Sequence, residues 1–356
     1  MGKAITFAII GCGRVSNKHV QALRQVPGAT LVAVCDVDQE RVRQKAEEAK
    51  CAGYTDLREM LCKHPEIDVV SVCAHTGLHA SISIECAEAG KHVVVEKPMA
   101  LTLDDADRMI AKCDEKGRRL FVVKQNRYNL PVLKLREALE AGRFGKMVLG
   151  TVRVRWCRDQ KYYDADAWRG TWAMDGGVFA NQASHHIDLL QWCMGDVESV
   201  VSYSATRLVD IEVEDVGTAL LRFTSGALGI IEATTATRPK DIEGSLSILG
   251  EKGTVEIGGF AVNQMKYWQF SEEVPDDEGV VEKYGIVPEN AYTRGHEMFY
   301  RDVFGRLTTG ECGGALVDGL KGKKSLELIT ALYESIETGK EVRLESHPRA
   351  LRLGRG

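Results

Sequence analysis

A chain of 356 residues, 44% hydrophobic and 27% charged, has the composition of a globular protein and is too long for one ordinary core, so two domains are expected. Its formal net charge of −5, with no long basic run, argues against a nucleic-acid partner. The apolar start at residues 5–10 is too short for a signal peptide or a membrane span, which predicts a cytoplasmic protein with no membrane partner.

The first 125 residues alternate short β-branched runs with amphipathic helical stretches, the βαβ pattern of a doubly wound parallel sheet. Strands are predicted at 5–10, 30–35, 69–73, 92–96 and 120–123, and helices at 16–25, 39–49, 57–62, 79–89 and 103–116. Pro65 and Gly90 stand at the breaks. Beyond Arg127 the texture changes. A helix at 131–141 closes at Gly142, and strands follow at 147–156, 197–208, 215–224, 227–235, 244–250 and 253–257. These form a mainly antiparallel sheet with one open face, interrupted by a helix at 183–194. Helices return at 294–307 and 322–338, before a polar tail at 345–356 that is expected to be poorly ordered. The fold class is therefore α/β. Residues 1–125 are expected to form a Rossmann-type domain, and 126–345 a second domain whose last helix is free to pack back on the first. Residues 346–356 are the tail.

The ten cysteines are scattered, none forms Cys-x-x-Cys, and Cys35, Cys73 and Cys86 sit in apolar runs. Buried reduced thiols are expected, with neither disulfides nor a Cys-rich zinc site.

Gly11-Cys12-Gly13-Arg14-Val15-Ser16 follows a strand and opens a helix. Gly11 permits the tight turn, Gly13 lets the backbone approach a pyrophosphate, and the helix start offers N–H donors. Ser16 replaces the third glycine of the fingerprint. Asp36, about 20 residues on, ends a strand where a carboxylate accepts ribose hydroxyls and repels a 2′-phosphate, which favours NAD over NADP. Cofactor contacts are also expected from His75, Thr76 and His79 after the next strand, from Glu96 and Lys97, and from Gln125.

Glu96-Lys97-Pro98 ends a strand at the carboxyl edge of this sheet, where ligands of open α/β sheets bind. An ammonium there can polarise a substrate hydroxyl or help deprotonate it. In the second domain, if 181–188 is helical, Asn181 and His185 share a face, and the imidazole is suited to accept a proton near neutral pH. His185, His186 and Asp188 do not form a metal site in this reading, because adjacent histidines point to different faces. His186 and Asp188 are read as structural. Arg155, Arg158, Lys161, Tyr163, Trp168 and Arg169 make a segment rich in arginine and aromatics, suited to an anionic, ring-bearing ligand.

The Leu78-His79 pair, the Gly90-Lys91-His92-Val93 run, Glu96-Lys97-Pro98 and the Gly176-Gly177…His185-His186-Ile187-Asp188 segment resemble the Gfo/Idh/MocA oxidoreductases, from residue 5 to about 344. That resemblance implies catalysis by Lys97 and His185, with substrate also held by Asn126, Tyr128 and Asn181. Asn181 departs from the aspartate common in the family and cannot be a carboxylate base, which leaves the proton to His185 with help from Lys97. Asn126-Arg127-Tyr128-Asn129 and the Arg155-Trp156-Cys157-Arg158 run with Tyr162-Tyr163 resemble the branch that oxidises the C3 hydroxyl of UDP-N-acetylglucosaminuronic acid. This branch serves bacterial surface polysaccharide (O-antigen). The resemblance further implies a homodimer or homotetramer through the open sheet. The alternatives are a dehydrogenase of a free sugar or inositol, and a non-catalytic dinucleotide sensor.

Overall fold

The computed structural model describes residues 4–286 and 291–355. The chain does not divide at a single point. One compact unit comprises residues up to 100 with 104–125 and 292–323, and the other comprises 101–103, 126–291 and 324 onward.

The first unit is built on β1 (Ile5–Ile10), α1 (Ser16–Leu23), β2 (Ala29–Cys35), α2 (Gln39–Ala49), β3 (Ala52–Tyr54), α3 (Leu57–Lys63), β4 (Val69–Val72), α4 (His79–Glu88), β5 (His92–Val95), α5 (Leu103–Glu115) and β6 (Leu120–Val122). The strands run parallel in the order β3-β2-β1-β4-β5-β6. Every residue of β4, and three of the four in β5, is buried, so these strands read as Val-rich runs instead of alternating ones. The three-residue edge strand β3 was not expected from sequence; its Ala-Gly-Tyr carries no hydrophobic period.

The second unit adds α6 (Leu130–Glu140), β7 (Met147–Arg155), α7 (Gln160–Asp164), α8 (Ser184–Met194), β8 (Val197–Ala205), β9 (Val216–Phe223), β10 (Leu228–Thr234), β11 (Glu243–Gly250), β12 (Gly253–Gly258), β13 (Gln264–Phe270) and α9 (Val280–Gly285). Then come α10 (Ala291–Thr308), which is assigned mostly to the first unit, α11 (Gly319–Thr338) and β14 (Val342–Arg343). The eight strands lie in the order β13-β12-β11-β7-β10-β9-β8-β14. The sheet is mixed: β10 pairs parallel with β7 and every other pairing is antiparallel. Strict alternation of buried and open positions along β9 gives it one covered and one open face. Val152, Val154, Leu221 and Ile231 enter a core with Ile187, Leu190 and Leu332. Gly150 lets α8 lie close on β7, since a Cβ there would meet Leu190 and Met194 at 2.7 Å.

Several expectations are corrected. The strand predicted to reach residue 208 ends at Ala205, because the Asp215 carboxylate takes the N–H groups of Arg207 and Leu208 into a turn. β13 was missed. The tail is packed, not loose: Leu353 is 1% exposed, and Gly354 N–H donates to Trp172 O at 2.8 Å. The Arg352 guanidinium lies 4.2 Å from the Trp172 ring. Six cysteines are buried, but Cys62 and Cys312 are exposed.

Candidate active site

In the first unit β1 ends in a turn at Gly11, whose φ of +92° suits glycine. A Cβ there would lie 2.6 Å from the backbone of Cys73 and Ala74. The Gly11 N–H donates to Cys35 O at 2.8 Å, tying the turn to the end of β2. Asp36 follows, and its carboxylate accepts the N–H groups of Cys12 (2.7 Å) and Asp38 (3.0 Å). At Gly13 an added Cβ would meet nothing within 4 Å, and Arg14 is exposed ahead of Val15. Ser16 is fully buried and donates its hydroxyl to Gly13 O at 2.6 Å. An open glycine backbone at a helix start, beside a strand-end carboxylate, fits the pyrophosphate and ribose of a dinucleotide.

β4 leads to His75, half-buried, and buried Thr76 in a 3₁₀ turn. His79 opens α4. It is 1% exposed, and its ring nitrogens lie 2.8 Å from Pro98 O and 3.0 Å from Ala74 O. Burial pushes this imidazole below its ordinary pKa, although the two carbonyls favour its charge. His79 therefore straps the loop after β4 to the end of β5.

Glu96 is likewise engaged by protein groups. Its Oε1 lies 2.8 Å from His19 Nε2 and 3.7 Å from His296 Nε2, and its Oε2 accepts the Lys97 N–H at 3.0 Å. His19 Nδ1 is 2.6 Å from the Tyr300 hydroxyl, which sits 2.7 Å from Ser71 Oγ. Burial opposes charge on Glu96, yet the hydrogen bond from His19 and the nearby His296 imidazole hold the carboxyl well below the usual range. Burial also lowers the His19 pKa, so His19 serves as a neutral donor to Glu96 and acceptor from Tyr300. Ligand-type atoms of His19, Glu96 and His296 lie within 4.8 Å of one another, but the short His19–Glu96 contact is a hydrogen bond, not metal spacing. Sequence reasoning missed this network, because α10 brings two of its members, His296 and Tyr300, from 200 or more residues away. Lys97 follows it, half-buried at the carboxyl edge of the sheet, and Gln125, also half-buried, closes the unit.

The second unit opens with buried Asn126 and Tyr128. Between them Arg127 makes a bidentate pair with Asp188 at 2.7 and 2.9 Å, with its guanidinium 4.6 Å from the Trp192 ring. Asp188 is thus spent on anchoring α8. The segment before α8 is not the plain helix expected: Val178–Gln182 is a π-helical turn, which alters the presentation of Asn181 relative to His185. The Asn181 amide donates to the Asp175 carboxylate, which also accepts the Gly170 N–H at 2.8 Å. His185 is 7% exposed in the first turn of α8.

An arginine–aromatic cluster stands beside this helix start. Trp156 meets the His186 ring edge-on at 5.6 Å and stacks on Phe260 at 4.8 Å. Tyr162 OH accepts from Gln182 (2.9 Å) and from Arg169 (2.7 Å). Arg169 packs over Tyr162 and Trp168, and Arg158 over Trp156 and Tyr162. Each arginine has a carboxylate, Asp166 for Arg169 and Asp241 for Arg158. Arg238, unremarked in the sequence, donates to the carbonyls of Arg158, Thr235 and Thr237 and makes no ion pair among the described residues. Lys161 is exposed.

Two residues leave the candidate set. Arg155 alternates with Val152 and Val154, so it lies on the open face of the sheet, away from α8, where Glu232 (2.6 Å) and Glu243 (3.2 Å) hold it. Tyr163 is buried, and its hydroxyl is 3.0 Å from Thr235 Oγ1; it supports the cluster from below.

A dinucleotide cradle on a parallel sheet, with a second sheet domain carrying an imidazole at a helix start, defines a nicotinamide-dependent oxidoreductase. Residues 5–124 match the family model described as an oxidoreductase family with an NAD-binding Rossmann fold, and residues 132–256 match the GFO/IDH/MocA C-terminal domain. The chain is 31% identical over 347 residues to myo-inositol 2-dehydrogenase of Thermotoga maritima, covering 95% of this chain and 98% of that one. It is 27% identical to D-apiose dehydrogenase of Paraburkholderia graminis, covering 97% and 91%. Among solved structures it is similar to the WlbA dehydrogenase of Bordetella pertussis, crystallised with NADH and UDP-GlcNAcA (44% identity, 96% and 98% covered, TM-score 0.91). The WlbA dehydrogenase of Chromobacterium violaceum, crystallised with the same two ligands, is similar at 43% identity, 96% of each chain and a TM-score of 0.89. This chain belongs to the Gfo/Idh/MocA oxidoreductase family, and its first unit is an NAD-binding Rossmann domain.

Proposed function

We propose that this protein is an NAD-dependent dehydrogenase that oxidises the C3 hydroxyl of UDP-N-acetylglucosaminuronic acid to the 3-keto sugar, in the cytoplasm, for bacterial surface polysaccharide such as O-antigen. The observation that carries the reading is the Trp156–Arg158–Tyr162–Arg169 cluster beside the His185 helix, in a chain 44% identical over nearly its whole length to a protein crystallised with that sugar nucleotide. NAD held at Gly11–Val15 and Asp36, with Thr76 and His75 nearby in the fold, supplies a hydride acceptor. The bound cofactor would take the C3 hydride, and the His185 imidazole is assigned the O–H proton. Lys97 polarises the same oxygen. Asn181, held by Asp175, orients the sugar as a neutral donor, because a second carboxylate beside Asp175 would be repelled. Arg158, Arg169, Arg238, Lys161 and Trp168 are assigned to the uronate, diphosphate and ring faces, and Asn126 and Tyr128 to the sugar side of the unit.

The open face of the second sheet supports a homodimer or homotetramer. Leu220, Leu228 and Ile230 are exposed there, and cross-strand pairs such as Arg155–Glu232 and Arg153–Glu256 lie alongside. Sedimentation at micromolar protein is expected to give a dimer or larger; a monomer would remove this part of the reading.

The test of substrate is absorbance at the NADH band, with purified protein, NAD and a panel of UDP-sugars with and without a uronate carboxylate. Turnover confined to UDP-sugar acids is expected. A second reading, oxidation of a free inositol, is favoured by the 31% identity to myo-inositol 2-dehydrogenase. Turnover of myo-inositol with none of the UDP-sugar acid would replace the first reading with the second.

A further inference from the structure

The π-helical turn Val178–Gln182, which carries Asn181 and delivers the chain to His185, starts with four N–H groups that have no acceptor inside the helix. Two side chains from distant parts of the second unit meet them. Gly177 N–H donates to Tyr333 Oη at 3.0 Å and Ala180 N–H to the same oxygen at 3.4 Å. Phe179 N–H donates to Glu214 Oε1 at 3.1 Å, and Val178 N–H to the Glu214 carbonyl at 3.0 Å. The Tyr333 hydroxyl donates in turn to Glu214 Oε1 at 2.8 Å, which closes the network. Tyr333 is wholly buried and Glu214 is 4% exposed.

The fit tolerates no additional atom. A Cβ at Gly177 would lie 2.0 Å from Glu214 Oε2, so the glycine before the turn is needed for the carboxyl to approach. Edge-on contacts of Tyr333 with Phe179 (6.3 Å) and Trp172 (5.5 Å) fix the tyrosine ring as well. Oε2 has no hydrogen-bond partner among the described residues, and burial pushes the Glu214 carboxyl up to about 7. A buried carboxyl with an oxygen left over is costly for stability alone. Its geometry is spent on one short stretch of backbone, and an unusual helical turn at a polar site is a common mark of function.

We propose that Glu214 and Tyr333 are a positioning pair, which holds the backbone of 177–180 so that Asn181 and His185 meet the substrate in fixed geometry. The inference rests on the functional reading above for what Asn181 and His185 do, but the holding of the turn is independent of it. Neither residue touches the substrate in this account; both act through the turn.

Two measurements on the NAD-bound full chain test this. The first is amide hydrogen exchange in wild type, Tyr333→Phe, Glu214→Ala and Glu214→Gln. The segment 177–186 is expected to exchange at least ~10-fold faster in Tyr333→Phe and Glu214→Ala, with the other strands of the sheet unchanged. Glu214→Gln, which keeps an acceptor oxygen, is expected to stay within about threefold of wild type. Exchange as slow as wild type in Tyr333→Phe, or an increase spread evenly over the unit, overturns the proposal. The second is kcat and KM on whichever sugar the wild type oxidises. A loss of about 100-fold in kcat is expected for Glu214→Ala, the scale of a roughly 1 Å misplacement, with KM for NAD unchanged and substantial recovery in Glu214→Gln. Unchanged kcat in a variant whose turn exchanges faster overturns the catalytic part. If wild type oxidises no UDP-sugar acid, the functional reading fails, while the exchange measurement still decides whether the pair holds the turn. Should Glu214→Ala fail to fold, Tyr333→Phe decides alone, since it removes one oxygen and leaves the ring in place.

Discussion

Glu96 in the first unit and Glu214 in the second are both wholly enclosed carboxyls, yet their ionisation moves in opposite directions. Glu96 is held well below the usual carboxylate range and Glu214 is raised to about 7. Burial works against the charge of each by the same physics. The difference lies in the donors. Glu96 has His19 on one oxygen, His296 near it and the Lys97 N–H on the other. Glu214 gathers Phe179 N–H and Tyr333 O–H on one oxygen and leaves the other bare. What sets the state of an enclosed carboxyl is how its oxygens are met, not how deeply they lie. Each of the two also stands behind one proposed catalytic side chain, Glu96 behind Lys97 and Glu214 behind the turn to His185.

The most severe break of the comparison removes the reacting groups themselves. Lys97→Ala and His185→Ala are each expected to lower kcat about 1000-fold while leaving NAD affinity largely intact, read by NADH formation and by NAD titration. Loss of NAD affinity in both would make these side chains structural. The double variant is expected to be little worse than either single one, because both are assigned to one hydroxyl.

The next largest effect is on stability. Glu96→Ala strips the acceptor from His19 and the partner from His296, and is expected to cost about 3 kcal/mol, measured as a fall in urea midpoint at constant m. A change under ~0.5 kcal/mol would mean that the network contributes nothing net.

A pH series sharpens the contrast directly. Because Glu214 goes from an ordinary 4.5 to about 7 on folding, the native state binds more protons than the unfolded state between those values. Its contribution is therefore fully present below pH 4.5 and is lost as pH rises to about 7. Tyr333 beside it stays neutral, its pKa raised by burial and by Glu214, and Arg352 pulls the carboxyl the other way. Glu96, lowered on folding, contributes above its unfolded pKa and loses that contribution as pH falls into the acid range. The difference in unfolding free energy between wild type and Glu214→Gln is expected to shrink from pH 5 to pH 8. A difference that does not vary with pH would show that Glu214 titrates normally.

The smallest expected effect separates the two faces of the second sheet. Arg158→Ala and Arg169→Ala are expected to raise KM for the sugar nucleotide about tenfold, the value of a charge-assisted contact. Arg155→Ala, on the open face, is expected to leave KM within about twofold. Equal effects from all three would mean that the cluster is not the anion site.

Much of this was legible along the chain. The glycine turn, Asp36, the Glu96-Lys97-Pro98 strand end and the alternation of strands and helices are local signals, because turn geometry and hydrophobic period act over a few residues. The alternation of Arg153 and Arg155 with Val152 and Val154 was readable too, and it assigns Arg155 to the open face on period alone. β3 and β14 were not, since strands of three and two residues carry no period of their own and exist only because a neighbour offers its edge.

The sequence by itself determined a parallel dinucleotide fold, a second mainly antiparallel sheet and the residue types able to hold NAD and move a proton, because propensity and spacing dictate these. Tertiary structure alone decided which polar groups are spent inward. His79 straps a loop, Glu96 is locked by His19 and by His296 from α10, and Glu214 with Tyr333 caps a π turn that no local pattern announces. Hydrogen-bond satisfaction in a buried place depends on which distant chain segment arrives there, and that is settled only when the core has closed.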